Sequence, residues 1–421
     1  MDKFVIDGGI PLQGAVEISG SKNAALPIMA ACLLAPGEYR LENVPLLRDV
    51  RTMAHLLRII GAKVELRDGI LWVDTSRADF PEAPYELVKT MRASIYVLGP
   101  LLARFGKARV SLPGGCAWGP RPVNLHLKGM EALGARLDLE QGYINARAKK
   151  LEGAAIKLDV SSVGATGNIM MAATLAEGVT TIENAAEEPE IVNLAEFLKA
   201  MGAKISGIGT RILSIEGVPE LQPANFRVIP DRIEAGTFLV AGIITGGRVT
   251  IRGCVPDHLR DVLAKLEQAG AKIYRESDSI TAQTAGPIHP TDVTTAVYPG
   301  YPTDMQAQWI ALMSLAAGGS VVTDVIYPDR FTHVPELQRL GADIVMKGNS
   351  AYIRGVQRLK GAPVMSTDLR ASASLVLASL AAEGQSDVLR VYHIDRGYQE
   401  IEKKLQILGA RIRREDDGKL Y

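Results

Sequence analysis

LEQAGAKIYR, residues 266–275, ends one pattern at a glycine and opens another. Ahead of it, Leu259, Val262, Leu263, Leu266 and Ala269 share one face of a 3.6-residue period. The segment therefore predicts a helix that packs on one side and is wet on the other. Gly270 suits the left-handed residue that ends a helix, having no Cβ to clash. Lys272, Ile273 and Tyr274 then begin the two-residue alternation of a half-buried strand. The same phrase recurs as LLRIIGAKVEL (56–66), GMEALGARLDL (129–139), LKAMGAKISG (198–207), LQRLGADIVM (337–346) and LQILGARIRR (405–414). The glycines Gly61, Gly134, Gly202, Gly270, Gly341 and Gly409 stand about 70 residues apart, so the chain carries six copies of one unit.

A second phrase alternates with the first: SKNAALPIMAACLLAPGEYRL (21–41), MRASIYVLGPLLARFGKARV (91–110), VGATGNIMMAATLAEGVTTI (163–182), DRIEAGTFLVAGIITGGRVTI (231–251), DMQAQWIALMSLAAGGSVV (304–322) and DLRASASLVLASLAAEGQSDVL (368–389). Each reads as a helix apolar nearly all round, a Gly-bearing turn and a strand. A helix without a polar face must be buried. Each unit then supplies a buried helix, an outer helix and several short strands, an α/β pattern. Three units can close around three buried helices, and the six divide as three plus three near Pro230. A solenoid also repeats, but solenoid periods are shorter and their helices keep a wet face.

With 421 residues the chain exceeds one compact core, so two domains are expected. Lys+Arg and Asp+Glu both number 47, and this zero balance argues against a nucleic-acid partner. The first residues, MDKFVIDGGIPLQG, read as strand and turn rather than a signal peptide. The apolar runs are about a dozen residues, short of the roughly 20 that span a bilayer. Three Cys make no disulfide framework, and no CxxC or HExxH string suggests a metal. The expectation is a cytoplasmic protein with reduced thiols and no cofactor.

All six buried helices open with polar residues: Ser21-Lys22-Asn23, Thr90-Met91-Arg92, Ser161-Ser162-Val163-Gly164, Asp231-Arg232, Thr303-Asp304 and Thr367-Asp368-Leu369-Arg370. Ser, Thr and Asp there are ordinary caps. Capping does not account for Lys22, Arg92 or Arg370, since a cation at the positive end of a helix is unfavourable. Together they suggest a shared anionic ligand.

Three loops stand out. LPGGCAWGPRPVNLHL (112–127) is rich in Gly and Pro and carries Cys116 with Arg121 close by. A neighbouring cation lowers a thiol pKa from about 8.5 toward neutrality and makes it reactive. Cys32, inside MAACLLA, and Cys254, after a strand, read as structural. YPDRFTHVPELQRLG (327–341) and YHIDRGYQEIEKKL (392–405) place Arg330 and Arg396 at equivalent positions ahead of outer helices. His126, His333 and His393 lie near these loops without metal-ligand spacing, which favours structural roles.

SGSKNAALP, PGGCAxGxRPV, SVGAT, DRIEAGT, YPTDMQAQ, TDLRASAS and YHIDRGY, in this order, resemble the UDP-N-acetylglucosamine 1-carboxyvinyltransferase family over nearly the whole chain. The resemblance implies a two-domain inside-out α/β barrel, with residues 22–229 as the first domain and residues 1–21 with 230–421 as the second. The active site would lie in the cleft between them. It implies transfer of the enolpyruvyl group of phosphoenolpyruvate to the 3′-hydroxyl of UDP-N-acetylglucosamine. Cys116 would be the proton donor and could hold a phospholactoyl adduct, and Asp304 the base. Lys22, Arg121 and Arg396 match the family's phosphate contacts, and Arg330 with Arg396 its carboxylate side. Asn23 would touch the sugar or the tetrahedral intermediate. Arg92, Arg121, Pro122, Val123, Asn124, Leu125, Ser161, Ser162, Val163, Gly164 and Ile326 match the sugar-nucleotide contacts. Asp368 would be a second acid–base group, and Arg370 another residue of the substrate site.

The chain departs from the family pattern at Trp118, where a smaller aliphatic residue is usual, at Pro120, and at Asn124, which replaces a frequent Asp. Asn caps a following helix about as well as Asp, so Asn124 is expected to keep the site intact. Two rival readings remain at this stage. A sibling enzyme acting on shikimate 3-phosphate shares fold and chemistry but leaves the Cys-bearing loop and SVGAT unexplained. A silent UDP-sugar binding protein would keep Arg92 and RPVNL but would not need Cys116 and Asp304 together.

Overall fold

The computed structural model describes residues 2–89, 91–112 and 123–416. The chain divides into two compact units, Gly20–Ile229 and Met1–Ser19 with Pro230–Tyr421. Within each unit one local order recurs. Strand Ala155–Lys157 leads into helix Val163–Ala173, and strand Val179–Glu183 returns parallel to the first. A parallel pair needs a crossover, which the buried helix supplies. After the outer helix Pro189–Ala200, strands Lys204–Ser206 and Ile212–Glu216 form a hairpin whose second arm lies antiparallel to Val179–Glu183. Among the described residues there are six four-stranded sheets, three in each unit, each ordered in this way.

Some sheets borrow a strand from a distant part of the chain. Phe226–Arg227 pairs with Leu41 and Glu42, and Gln13–Glu17 pairs with Arg248–Arg252. Asp2–Asp7 lies between Gln385–Leu389 and Arg411–Asp416, antiparallel to both.

The helices apolar all round are buried along their length. Val163–Ala173 touches both Lys22–Ala31 and Leu98–Phe105, while Arg232–Ile244, Gln306–Met313 and Ala371–Ala381 touch one another. Some of their hydroxyls bond back onto their own helix: Thr237 Oγ1 donates to Ile233 O at 2.8 Å, and Ser374 Oγ to Ala371 O at 2.6 Å. Two helix starts differ from the sequence reading. Arg92 and Thr303-Asp304 lie in 3₁₀ turns, Arg92–Val97 and Thr303–Met305, that precede the helices proper.

The Gly-Ala phrase closes every outer helix identically. All six repeat glycines have positive φ, from 88° at Gly134 to 107° at Gly61. In the fourth copy Gly270 N donates to Glu267 O and Ala271 N to Leu266 O, both at 3.0 Å, and the other five copies repeat the pair. This is the Schellman arrangement, which satisfies two orphan carbonyls and requires a left-handed residue. Leu259, Val262, Leu263, Leu266 and Ala269 are all buried as the periodicity predicts. The strand that follows is less covered than expected: Ile273 is half-buried and Tyr274 is 52% exposed, because strand Lys272–Arg275 is the sheet's edge.

Candidate active site

In the unit containing Pro230–Tyr421, the polar helix openings meet in one buried ladder of alternating charge. Arg330 Nη1 donates to Asp304 Oδ1 at 2.7 Å, and its Nη2 lies 3.5 Å from Asp368 Oδ1. Arg370 Nη2 donates to Asp231 Oδ2 at 2.9 Å, and its Nε lies 3.7 Å from Asp304 Oδ2. Asp304 thus stands between two arginines, one facing each oxygen. Two of the carboxylates also accept from backbone amides at helix starts, and Asp231 is the cap of helix Arg232–Ile244. Asp231 Oδ1 accepts from Ile233 N and Glu234 N, and Asp368 Oδ1 from Arg370 N and Ala371 N. Arg370 Nη1 also donates to Gly397 O at 3.2 Å, and the guanidinium lies over the Tyr398 ring.

Burial sets the electrostatics. It would lower the pKa of Arg330, but Asp304 and Asp368 more than compensate and hold it above its ordinary value. For Arg370, burial is outweighed by Asp231, Tyr398 and Asp304. Burial would raise Asp368, yet the charge of Arg330 and the two helix amides bring it below the usual carboxylate range. Both arginines and Asp368 therefore stay ionised. The ladder places three carboxylates around two guanidiniums, so the counter-charge expected of an anionic ligand is already present within this unit.

A fourth carboxylate joins it through Thr303, whose Oγ1 also accepts from Arg330 Nη1 at 3.3 Å. Asp324, fully buried, accepts from Thr295 Oγ1 at 2.8 Å, Thr303 Oγ1 at 2.7 Å, Ile326 N at 2.9 Å and Tyr327 N at 2.8 Å. Ile326 itself is half-buried. Arg396 is half-buried in the 3₁₀ turn Val391–Arg396, while its neighbour Asp395 holds Arg414 through two hydrogen bonds.

In the unit Gly20–Ile229, Ser21 caps helix Lys22–Ala31 by accepting from Ala24 N, and Lys22 Nζ pairs with Asp49 Oδ2 at 3.2 Å, both side chains nearly buried. For Lys22, as for Arg370, the charge that capping left unexplained is met by a protein carboxylate. Asn23 is half-buried beside it. Ser162 Oγ accepts from Ala165 N to cap helix Val163–Ala173, and Ser161 Oγ approaches Ala185 O at 3.5 Å. His126 brings the other predicted segments together. Its Nδ1 accepts from Asn168 Nδ2 at 3.0 Å, and its ring packs against Gly164 so closely that a Cβ there would sit 3.0 Å from Nε2. Arg92 is near enough for its charge to act on this ring. Arg92, Val163, Gly164 and the helix Asn124–Ala132, which carries Leu125, are therefore neighbours.

One expectation is corrected here. Asn124 does not cap that helix: it is the first helical residue, Val123 occupies the cap position, and no side chain caps the end. Cys116, Arg121 and Pro122 lie outside the described residues. Sequence reading missed Asp49, Asp324 and Asn168; Asp49, in the first turn of an outer helix, reads as an ordinary helix-start acid. Among the described residues, no group of three or more His, Cys, Asp or Glu could hold a metal ion, and no helix is long and apolar enough to cross a membrane.

Two histidines predict acid sensitivity. Burial, with Arg92 adding to it, lowers His126 to about 4. Burial lowers His333 to about 3, Asp368 opposing and Arg330 assisting. Each is neutral when folded, so between pH 6.5 and 4 the unfolded chain binds a proton that the folded chain refuses. Stability is then full above pH 6.5 and falls by about 3 kcal/mol per histidine on reaching pH 4. Both His333 ring nitrogens lack hydrogen-bond partners, so His333→Leu has none to break. It should leave stability at pH 7 little changed and remove about half of the acid slope in urea titrations from pH 7 to 4. An unchanged slope would contradict this origin.

A sequence model of the EPSP synthase (3-phosphoshikimate 1-carboxyvinyltransferase) family matches residues 6–405. The UDP-N-acetylglucosamine 1-carboxyvinyltransferases of Chloroherpeton thalassium and Chlorobium phaeovibrioides are 58% and 56% identical over 418 residues, which is 99% of this chain and 97% and 99% of theirs. The solved enolpyruvyl transferase NikO from Streptomyces tendae superposes with a TM-score of 0.89 at 28% identity over 98% of both chains. An EPSP synthase structure from Acinetobacter baumannii reaches 0.77 at 18% identity over 99% of this chain and all of that one, a likeness of fold alone. With matches of this length and identity on a two-unit α/β chain, the protein belongs to the enolpyruvyl transferase family, among the UDP-N-acetylglucosamine 1-carboxyvinyltransferases.

Proposed function

We propose that this chain transfers the enolpyruvyl group of phosphoenolpyruvate to the 3′-hydroxyl of UDP-N-acetylglucosamine and releases phosphate, the first committed step of peptidoglycan precursor synthesis. The observation that carries this reading is the 58% identity over 418 residues to an enzyme of that name. In the addition, the sugar oxygen bonds to the second carbon of phosphoenolpyruvate while the methylene carbon takes a proton. In the elimination, the tetrahedral phosphoketal loses phosphate and the methyl group returns a proton.

Asp304 would take the hydroxyl proton. Its side chain is 26% exposed, whereas the other four members of the ladder are at 9% or less. Arg330 and Arg370, on its two oxygens, fix the direction in which it can accept. Cys116 would protonate the methylene carbon, its thiol tuned by Arg121; a general acid works best with a pKa near the working pH. Lys22, Arg121 and Arg396 would hold the phosphate, and Arg330 with Arg396 the carboxylate, which requires Arg330 to exchange Asp304 or Asp368 for substrate oxygens. Arg suits these anions because its planar fork binds them bidentately. Asn23, Arg92, Arg121, Pro122, Val123, Asn124, Leu125, Ser161, Ser162, Val163, Gly164 and Ile326 would meet the sugar nucleotide, with Asp368 as a second acid–base group. The finer architecture that goes with this reading is three units around three helices in each domain, and the compartment is the cytoplasm.

Phosphate release from phosphoenolpyruvate tests the reading. Release is expected with UDP-N-acetylglucosamine and none with shikimate 3-phosphate. The reverse pattern, or binding of the sugar nucleotide without release, would refute it.

A further inference from the structure

We infer that Asp324 is a positioning residue, which through the Thr303 hydroxyl sets Asp304 and Arg330 in register for the proton transfer. The inference rests on the reading of Asp304 as the base.

The geometry assigns Asp324 a joining task. Its backbone is anchored at the end of strand Gly319–Thr323, where its amide donates to Asn349 O at 2.9 Å and its carbonyl accepts from Asn349 Nδ2 at 3.0 Å. From that fixed point its carboxylate holds three segments at once, one of them through the Thr295 hydroxyl, which donates to Oδ1 at 2.8 Å. Oδ1 takes the amides of Ile326 and Tyr327, which begin the loop leading to Arg330. Oδ2 takes the hydroxyl of Thr303, the residue beside Asp304. A carboxylate only accepts, so the single Thr303 hydroxyl proton is committed to Asp324, and Thr303 Oγ1 has only lone pairs to offer elsewhere. One of them faces Arg330 Nη1 at 3.3 Å, and that same nitrogen donates to Asp304 Oδ1 at 2.7 Å. Asp324 thus fixes the polarity of Thr303, and Thr303 with Asp304 fixes the guanidinium.

A base displaced by about 1 Å can lose 10²-fold in rate while substrate still binds. Thr303→Val keeps the shape and deletes the hydroxyl. It should lower kcat about ten-fold and change KM for UDP-N-acetylglucosamine less than about three-fold, and Thr303→Ser should restore kcat to within about three-fold. Asp324→Asn should lower kcat comparably, and the double variant Thr303→Val/Asp324→Asn should be no slower than the slower single one, because both act on one chain of contacts. If Asp324→Asn does not fold, the Val and Ser pair at 303 decides alone. Wild-type kcat in Thr303→Val, equal losses in Val and Ser, or multiplying losses in the double variant would each overturn the inference. Asp304→Asn, assayed alongside, separates the two readings. If it turns over like wild type, the base assignment itself fails; if it is inactive while Thr303→Val is normal, only the positioning role fails.

Discussion

Cys116→Ser is expected to lower turnover by about 10²- to 10⁴-fold, the range that general acid catalysis contributes, while affinity for UDP-N-acetylglucosamine stays within a factor of about three. A serine hydroxyl is of similar size but far too weak an acid to serve near neutral pH. The other two thiols make the experiment clean. Cys32 has no exposed surface, and burial holds its thiol well above the ordinary range. Burial, opposed by a backbone hydrogen bond, pushes Cys254 up to about 11. Neither supplies thiolate at neutral pH, and thiolate is the reactive form. A thiol-directed epoxide phosphonate such as fosfomycin should therefore label one residue and inactivate the enzyme, and Cys116→Ser should abolish the labelling. Loss of sugar-nucleotide affinity with normal turnover would contradict the role.

Arg370→Met should destabilise the unit containing Pro230–Tyr421 by about 3–5 kcal/mol, the usual result of removing one partner from a buried ion pair. Arg370 is 1% exposed and Asp231 is 2% exposed, so the methionine leaves Asp231 Oδ2 without its partner in a place that water reaches poorly. Asp231 cannot swing away, because its other oxygen caps helix Arg232–Ile244. Pairing the change with Asp231→Asn keeps an amide oxygen for the cap and removes the stranded charge, so the double variant should recover most of the loss. Urea unfolding of the two variants measures it. A loss below about 1 kcal/mol for Arg370→Met would show that the pair contributes little.

What could be read from sequence follows the range of the interaction. The Gly-Ala phrase was legible because the Schellman closure is local: a glycine, the residue after it and carbonyls one turn back settle it. The buried helices were legible because a segment such as Ala371–Ala381 has no polar face to put in water. The ladder was legible only in its membership. Asp304, Arg330, Asp368 and Arg370 stand out as polar residues at odd places, but that Arg370 takes Asp231, 139 residues away, depends on how helices stack and leaves no local trace. Asp324 was invisible for a similar reason. An Asp after a strand is a common turn residue, and only the fold shows four donors converging on it. Asn124 illustrates the limit at one-residue resolution, because composition cannot distinguish a cap from the first helical position.

The strand Asp2–Asp7 pairs Phe4 with Val388 and Arg414, so it cannot take its place until partners far along the chain have been synthesised. At roughly 5–20 residues per second, about 20–80 s pass before those partners are synthesised. Even when Gly20–Ile229 is complete and can form its own three sheets, Phe4, Val5 and Ile6, which end with 2% exposure or less, still lack the strands that cover them. Until those strands arrive, residues 4–6 are a short apolar β-forming stretch open to wrong pairing.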